Sequence, residues 1–199
     1  MPNLTTHINF IKYLTNKKYN NYDLNYLVLG SIAPDYYFIF NNEKKGCLSH
    51  FEETINDESN LDIFNSKILK LNVNHFEKSY IVGYYSHLWL DNYFYNNCDK
   101  FTIINNNFST TLLRKFLKEN IKIYDLKSTR ELINSISISP NNSDFNDILP
   151  ISLNKSIHLL NDLRFKSLIS PLELSCPTVI ENSSYNKFLL EAANRFYLP

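Results

Sequence analysis

The stretch Tyr80-Ile-Val-Gly-Tyr-Tyr-Ser-His-Leu-Trp-Leu-Asp-Asn-Tyr-Phe-Tyr95 decides the fold. It is strongly apolar and reads as a buried helix. His87 and Asp91 are set into it four residues apart, so they share one helix face, one turn apart. Burying an imidazole and a carboxylate is costly unless they are paired or ligate a metal. One turn before His87 on the same face stands Gly83. A glycine inside a helix costs about 1 kcal/mol against alanine, and the simplest reason to keep it is another backbone packed closely at that point. From these residues alone the pair reads equally as a hydrogen-bonded His–Asp couple in a core or as two metal ligands.

Working outward, the chain before this helix offers three further segments. Thr5 or Thr6 can cap a first helix through Ile8, Ile11 and Leu14, with His7 in its first turn. A second helix over 24–33 is almost wholly apolar. Pro34 stops it, and Asp35 follows at once. Residues 41–47 read as a polar loop, after which Ser49 looks like an N-cap with Glu52 as its capping-box partner and His50 in the first turn. A short amphipathic helix is expected over 61–71, and the central helix over about 77–95.

Beyond it, the pattern predicts a loop at 105–107, helices over 112–118 and 127–138, and a loop over 139–147. A short strand at 136–139 is an alternative. The pattern also predicts a helix over 153–168 closed by Pro171, and a last helix from Pro177 to Phe196. The expectation is an all-α fold, one domain over 1–199 with about seven to eight helices.

Composition narrows the class. The 199 residues carry 20 basic and 20 acidic side chains, so bulk charge implies neither nucleic acid nor an anionic membrane as partner. Three glycines and seven prolines disfavour a turn-rich β fold. Cys47, Cys98 and Cys176 form no paired motif, and their odd number suggests reduced thiols and a cytoplasmic protein. No signal peptide is visible at the N-terminus, and no run reaches the length of a membrane span.

Five histidines are present. His7, His50 and His87, together with Asp35 and Asp91, fall in apolar or helix-start contexts. Mixed imidazole and carboxylate ligands suit zinc, and also manganese or iron. His75 reads as a helix-start residue with no metal role. Arg164 and Arg195 read as surface charge before phosphate ligands.

Four pieces of the first half, Leu4-Thr-Thr-His7, Leu29-Gly-Ser-Ile-Ala-Pro-Asp35, Ser49-His50-Phe51 and Gly83-Tyr-Tyr-Ser-His87-Leu-Trp-Leu-Asp91, together resemble the zinc-dependent phospholipase C family. Relatives of that family include single-strand-specific zinc nucleases. The resemblance implies an all-α fold with one to three zinc ions in a cleft. It matches Asp35, His50, His87 and Asp91 to the family's first zinc site, and His7 to a second metal bridged by Asp91. His158 and Asp162, four residues apart, could stand in for the family's later His-x-x-x-Glu. Asn97 stands near where a family histidine is expected.

The expected activity is metal-dependent hydrolysis of a small phosphoester by a metal-activated water, with Asp35 as general base and Tyr36 beside the substrate. Two other classes use the same residues: a di-iron oxygenase or redox enzyme, and a non-catalytic binding module with a structural metal. The sequence specifies neither substrate nor oligomeric state.

Overall fold

Two glycines fix the central crossing of the fold. The computed structural model describes residues 3–52, 59–102, 126–138, 149–167 and 180–199. Helix α2 (Leu24–Ile32) crosses α6 (His75–Asn97) with their backbones in contact. A Cβ on Gly83 would overlap the Leu27 carbonyl oxygen and stand 2.9 Å from its carbon. A Cβ on Gly30 would overlap the Tyr80 carbonyl oxygen and come within 2.8 Å of the Tyr84 nitrogen. The close approach expected at Gly83 is therefore present, and Gly30 answers it from the opposite helix.

Around this pair stand α1 (Leu4–Thr15), α3 (Tyr36–Ile39), α4 (Glu43–His50) and α5 (Leu61–Phe64), the last continuing into a π-turn, Asn65–Leu69. A 3-10 turn, Cys98–Phe101, follows α6, and then come α7 (Leu126–Ser135), α8 (Leu153–Ser167) and α9 (Asn182–Arg195). The described residues hold nine α-helices and no strand, which is the all-α class expected. One buried apolar cluster draws on α1, α2, α5, α6, α7, α8 and α9. Among the described residues no helix is long and apolar enough to cross a membrane.

Polar links fasten helices to this core. Asn9 of α1 is buried, donating to the Tyr185 hydroxyl at 3.3 Å and accepting from the Thr129 hydroxyl at 2.8 Å. It clamps α1 to α9 and α7. The Tyr80 phenol lies 2.7 Å from the Ser156 hydroxyl and 3.2 Å from the Ile151 carbonyl, tying α6 to α8. A buried hydroxyl needs such partners.

Several local expectations are corrected. Helix α1 is capped by Asn3, whose side chain accepts the Thr6 N–H at 3.0 Å, in place of Thr5 or Thr6. The supposed loop 41–47 is mostly helix α4, capped by Asn42. Ser49 and His50 therefore lie at its C-terminal end, and Phe51 terminates it in the left-handed region (φ 57°). Residues 136–138 form no strand. Helix α9 starts at Asn182, after the extended residue Glu181. Pro171, Pro177 and the segments expected at 105–118 and 139–147 lie outside the described residues.

Candidate metal centre

Asp35 occupies the N-cap position of α3 but makes no side-chain cap bond there. Its carboxylate is not spent on the helix end. The group is placed by a neighbour: the buried Ser49 hydroxyl stands 2.8 Å from the Pro34 carbonyl and 2.7 Å from the Gly46 carbonyl. The Tyr84 phenol, also buried, donates to the Ser49 carbonyl. Ser49 thus joins the Pro34–Asp35 turn, the end of α4 and the central helix α6.

Backbone carbonyls set the tautomers of both inner histidines. His50 Nδ1 is 2.9 Å from the Gly46 carbonyl, and His87 Nδ1 is 2.7 Å from the Ser31 carbonyl. A carbonyl only accepts, so each Nδ1 carries the proton. Ser31 is free to accept because α2 stops before Pro34, leaving its last carbonyls without intrahelical partners. In each neutral ring Nε2 is then a bare lone pair. The two Nε2 atoms face each other at 3.1 Å.

Two carboxylates complete the group. His50 Nε2 is 3.4 Å from Asp35 Oδ1 and 3.8 Å from Asp91 Oδ2. His87 Nε2 is 3.9 Å from Asp35 Oδ1 and 3.1 Å from Asp91 Oδ2. Ligands about 2.0–2.2 Å from a zinc ion stand roughly 3.3–3.6 Å apart at the corners of a tetrahedron. The five separations, 3.1 to 3.9 Å, scatter around that value. Asp35, His50 and His87 could hold a metal ion, with Asp91 Oδ2 3.1 Å from His87 beside them.

A second group shares two of these residues: His7, His87 and Asp91. His7 Nε2 lies 3.4 Å from Asp91 Oδ1, the oxygen turned away from the first group. Its ring stacks on His87 with centroids 3.6 Å apart. Both ring nitrogens of His7 and both Asp91 oxygens are buried without a well-formed hydrogen bond. Such orphaned atoms are rare in native interiors and call for a ligand, water or ion.

The electrostatics agree with the geometry. Burial pushes Asp35 upward, but the imidazoles of His87, His50 and His7 outweigh it and bring its carboxyl down to about 2. Asp91 is likewise held well below the usual carboxylate range, by His87 and His7 against burial. Burial would lower His87, yet Asp91 and Asp35 raise it above its ordinary value. His7 is lowered to about 4, chiefly by burial and then by the charge of His87.

Other residues singled out in the sequence stand elsewhere. His158 is exposed on α8, its ring 5.2 Å from Phe40 and 6.1 Å from Tyr36, and neither it nor the half-buried Asp162 belongs to either group. The exposed face of α8 is the physical reason: its inner positions are Ser156, Leu159 and Leu160. Tyr36 is half-buried against Phe40 at 4.8 Å. His75 opens α6, and Asn97 donates to the Tyr93 carbonyl. Arg164 is spent on α7, donating to the Ile133 carbonyl at 3.1 and 3.0 Å. Arg195 is exposed in the last turn of α9.

Sequence reasoning missed Ser49 and Tyr84 as supports of the centre. No periodicity marks them, because their role depends on where three separate segments meet. No protein-family model, curated protein or solved structure matches the chain.

Proposed function

We propose that Asp35, His50, His87 and Asp91 form the metal centre of a hydrolase acting on a phosphoester. The observation that carries this reading is the pair of Nε2 atoms 3.1 Å apart, each ring oriented by a backbone carbonyl and flanked by carboxylates held ionised. With both rings neutral the two Nε2 lone pairs would repel each other; the carboxylates favour a positive charge at this point, seen in the raised pKa of His87, and a metal ion would take the place of that proton. Zinc suits the donor set, with manganese or iron also compatible.

A metal held there would supply Lewis acidity and would lower the pKa of a bound water toward about 7. The chain's own residues do the rest. Asp35 is the ligand that reaches solvent, its side chain 13% exposed against 0% for His50 and His87 and 5% for Asp91. It faces whatever enters. With a pKa of about 2 it is ionised at neutral pH and accepts a hydrogen bond. That supports orienting a water more than storing a proton, since an efficient base titrates near the working pH. His7 and the outer oxygen of Asp91 are left to hold a second metal.

Metal analysis of protein purified without chelator, combined with hydrolysis of bis-p-nitrophenyl phosphate, tests the reading. We expect bound zinc or manganese, turnover, and loss of turnover on adding chelator. Asp35→Asn should lose more activity than metal. His87 stands in both groups, and Asp91 turns one oxygen to His7 and the other to His87, which also suits a di-iron centre. Iron with a visible charge-transfer band would therefore move the assignment to redox chemistry. One tightly held zinc with no turnover of any phosphoester would move it to a structural metal.

A further inference from the structure

Two cations approach one ring, that of Tyr37, two residues after Asp35, and among the described residues neither is paired with a carboxylate. Helix α3 begins on Asp35 and carries the half-buried Tyr37 within its single turn. Lys155, from α8, reaches Tyr37 from one helix, its ammonium donating to the phenol oxygen at 2.6 Å and lying 4.9 Å from the ring centroid. Lys45, from α4, approaches the same ring from another helix at 5.4 Å. Among the described residues no carboxylate forms an ion pair with either ammonium.

The two ammoniums leave positive charge gathered around one phenol ring. Lys155 sits in the first turn of α8, a turn that contains no acid. The N-terminal end of a helix already carries partial positive charge and disfavours a cation. Lys45 adds a second cation against the same ring. An oxyanion bound beside the Tyr37 phenol would offset this charge, with the ammoniums acting as point-charge donors.

We propose that Lys45, Lys155 and Tyr37 form a subsite for a phosphate-type oxyanion. It would take a negatively charged group of the substrate outside the bond being cut. This rests on the hydrolase reading for its place in a reaction, but not for the binding itself. The rings of Tyr36, Phe40 and His158 pack on one another, and Tyr36 also meets Tyr37 at 5.4 Å. His158 therefore lies at the rim and not among the metal ligands.

Titration with inorganic phosphate by calorimetry, before and after chelation, tests the subsite. The chelated wild-type protein should still bind phosphate. The variant carrying Lys45→Gln and Lys155→Gln should bind it about 10–100-fold more weakly, as expected for losing charged hydrogen bonds, with metal content and Tm unchanged. Equal affinity in the variant would overturn the proposal. So would binding that vanishes on chelation while the circular dichroism stays native. If chelation unfolds the protein, the metal-loaded wild type and variant are compared: weaker binding or one lost phosphate equivalent supports the subsite, and identical isotherms overturn it. Absence of phosphoester turnover with this binding intact would sink the hydrolase reading alone.

Discussion

The centre has two sides built in opposite ways. On one, His50 and His87 each have Nδ1 fixed by a backbone carbonyl, at 2.9 and 2.7 Å, so their Nε2 atoms are aimed before any metal arrives. On the other, His7 has neither ring nitrogen in a hydrogen bond and is held by stacking on His87 and by the burial of α1. Outer partners that orient a ligand typically contribute about 10–100-fold to metal affinity. The difference teaches that ligand identity is one quantity and ligand orientation another. The first group should bind tightly and the second weakly.

The largest test of that contrast is His87→Ala. His87 belongs to both groups, so its loss should remove all stoichiometric metal, a greater cost than the about 10–100-fold attached to an outer partner. Retention of one equivalent by this variant, measured after gel filtration, would show that the two sides are independent and would break the comparison.

A smaller effect is expected where the tight side is anchored. At Gly83 an added methyl must displace the Leu27 backbone, which cannot yield as a flexible side chain would. Gly83→Ala should destabilise by about 3 kcal/mol, the upper range for overpacking. For a chain of this size that corresponds to roughly 6–12 °C in Tm. An unchanged Tm would mean that α2 and α6 do not meet as described, and the aim of His87 would need another origin.

This anchor was legible in the sequence because its signals are local. His87, Asp91 and Gly83 share one helix face, and Asp35 follows a proline that must end a helix. Helix α4 was not legible for an equally physical reason. It buries Gly46, Cys47, Ser49 and His50 and exposes Leu48, so its inner face carries small and polar residues instead of an apolar stripe. Periodicity cannot find such a helix. Asn42 was a usable cap signal, but the polar run after it masked the helix. The capping-box reading of Ser49 and Glu52 failed because a serine near a helix end can also bond backward, here to the Gly46 carbonyl. His158 was misplaced among the ligands because spacing alone does not say which face of a helix is inside.

The weak side makes the finest prediction, since His7 should announce itself through pH in the metal-free protein. Its folded pKa is about 4, against 6.5 as an ordinary histidine. Between those values the unfolded chain takes up a proton that the folded chain refuses. The unfolded state binds more protons there, so stability falls as pH drops through the window. From pH 6.5 to 4.5 the loss should approach about 2 kcal/mol. Other members of the centre do not blur this. His87 is raised, so its contribution is fully present below pH 6.5 and is lost only as pH climbs through its folded pKa. Asp35 and Asp91 are depressed, and their contributions fade only as pH falls below about 3.8. Urea unfolding of wild type and His7→Gln at the two pH values isolates the term: the variant's slope should be flatter by about 2 kcal/mol. The same variant, metal-loaded, should hold about one metal fewer while keeping the ion of the first group. Equal slopes, or an unchanged metal count, would place His7 outside the centre despite its 3.4 Å approach to Asp91.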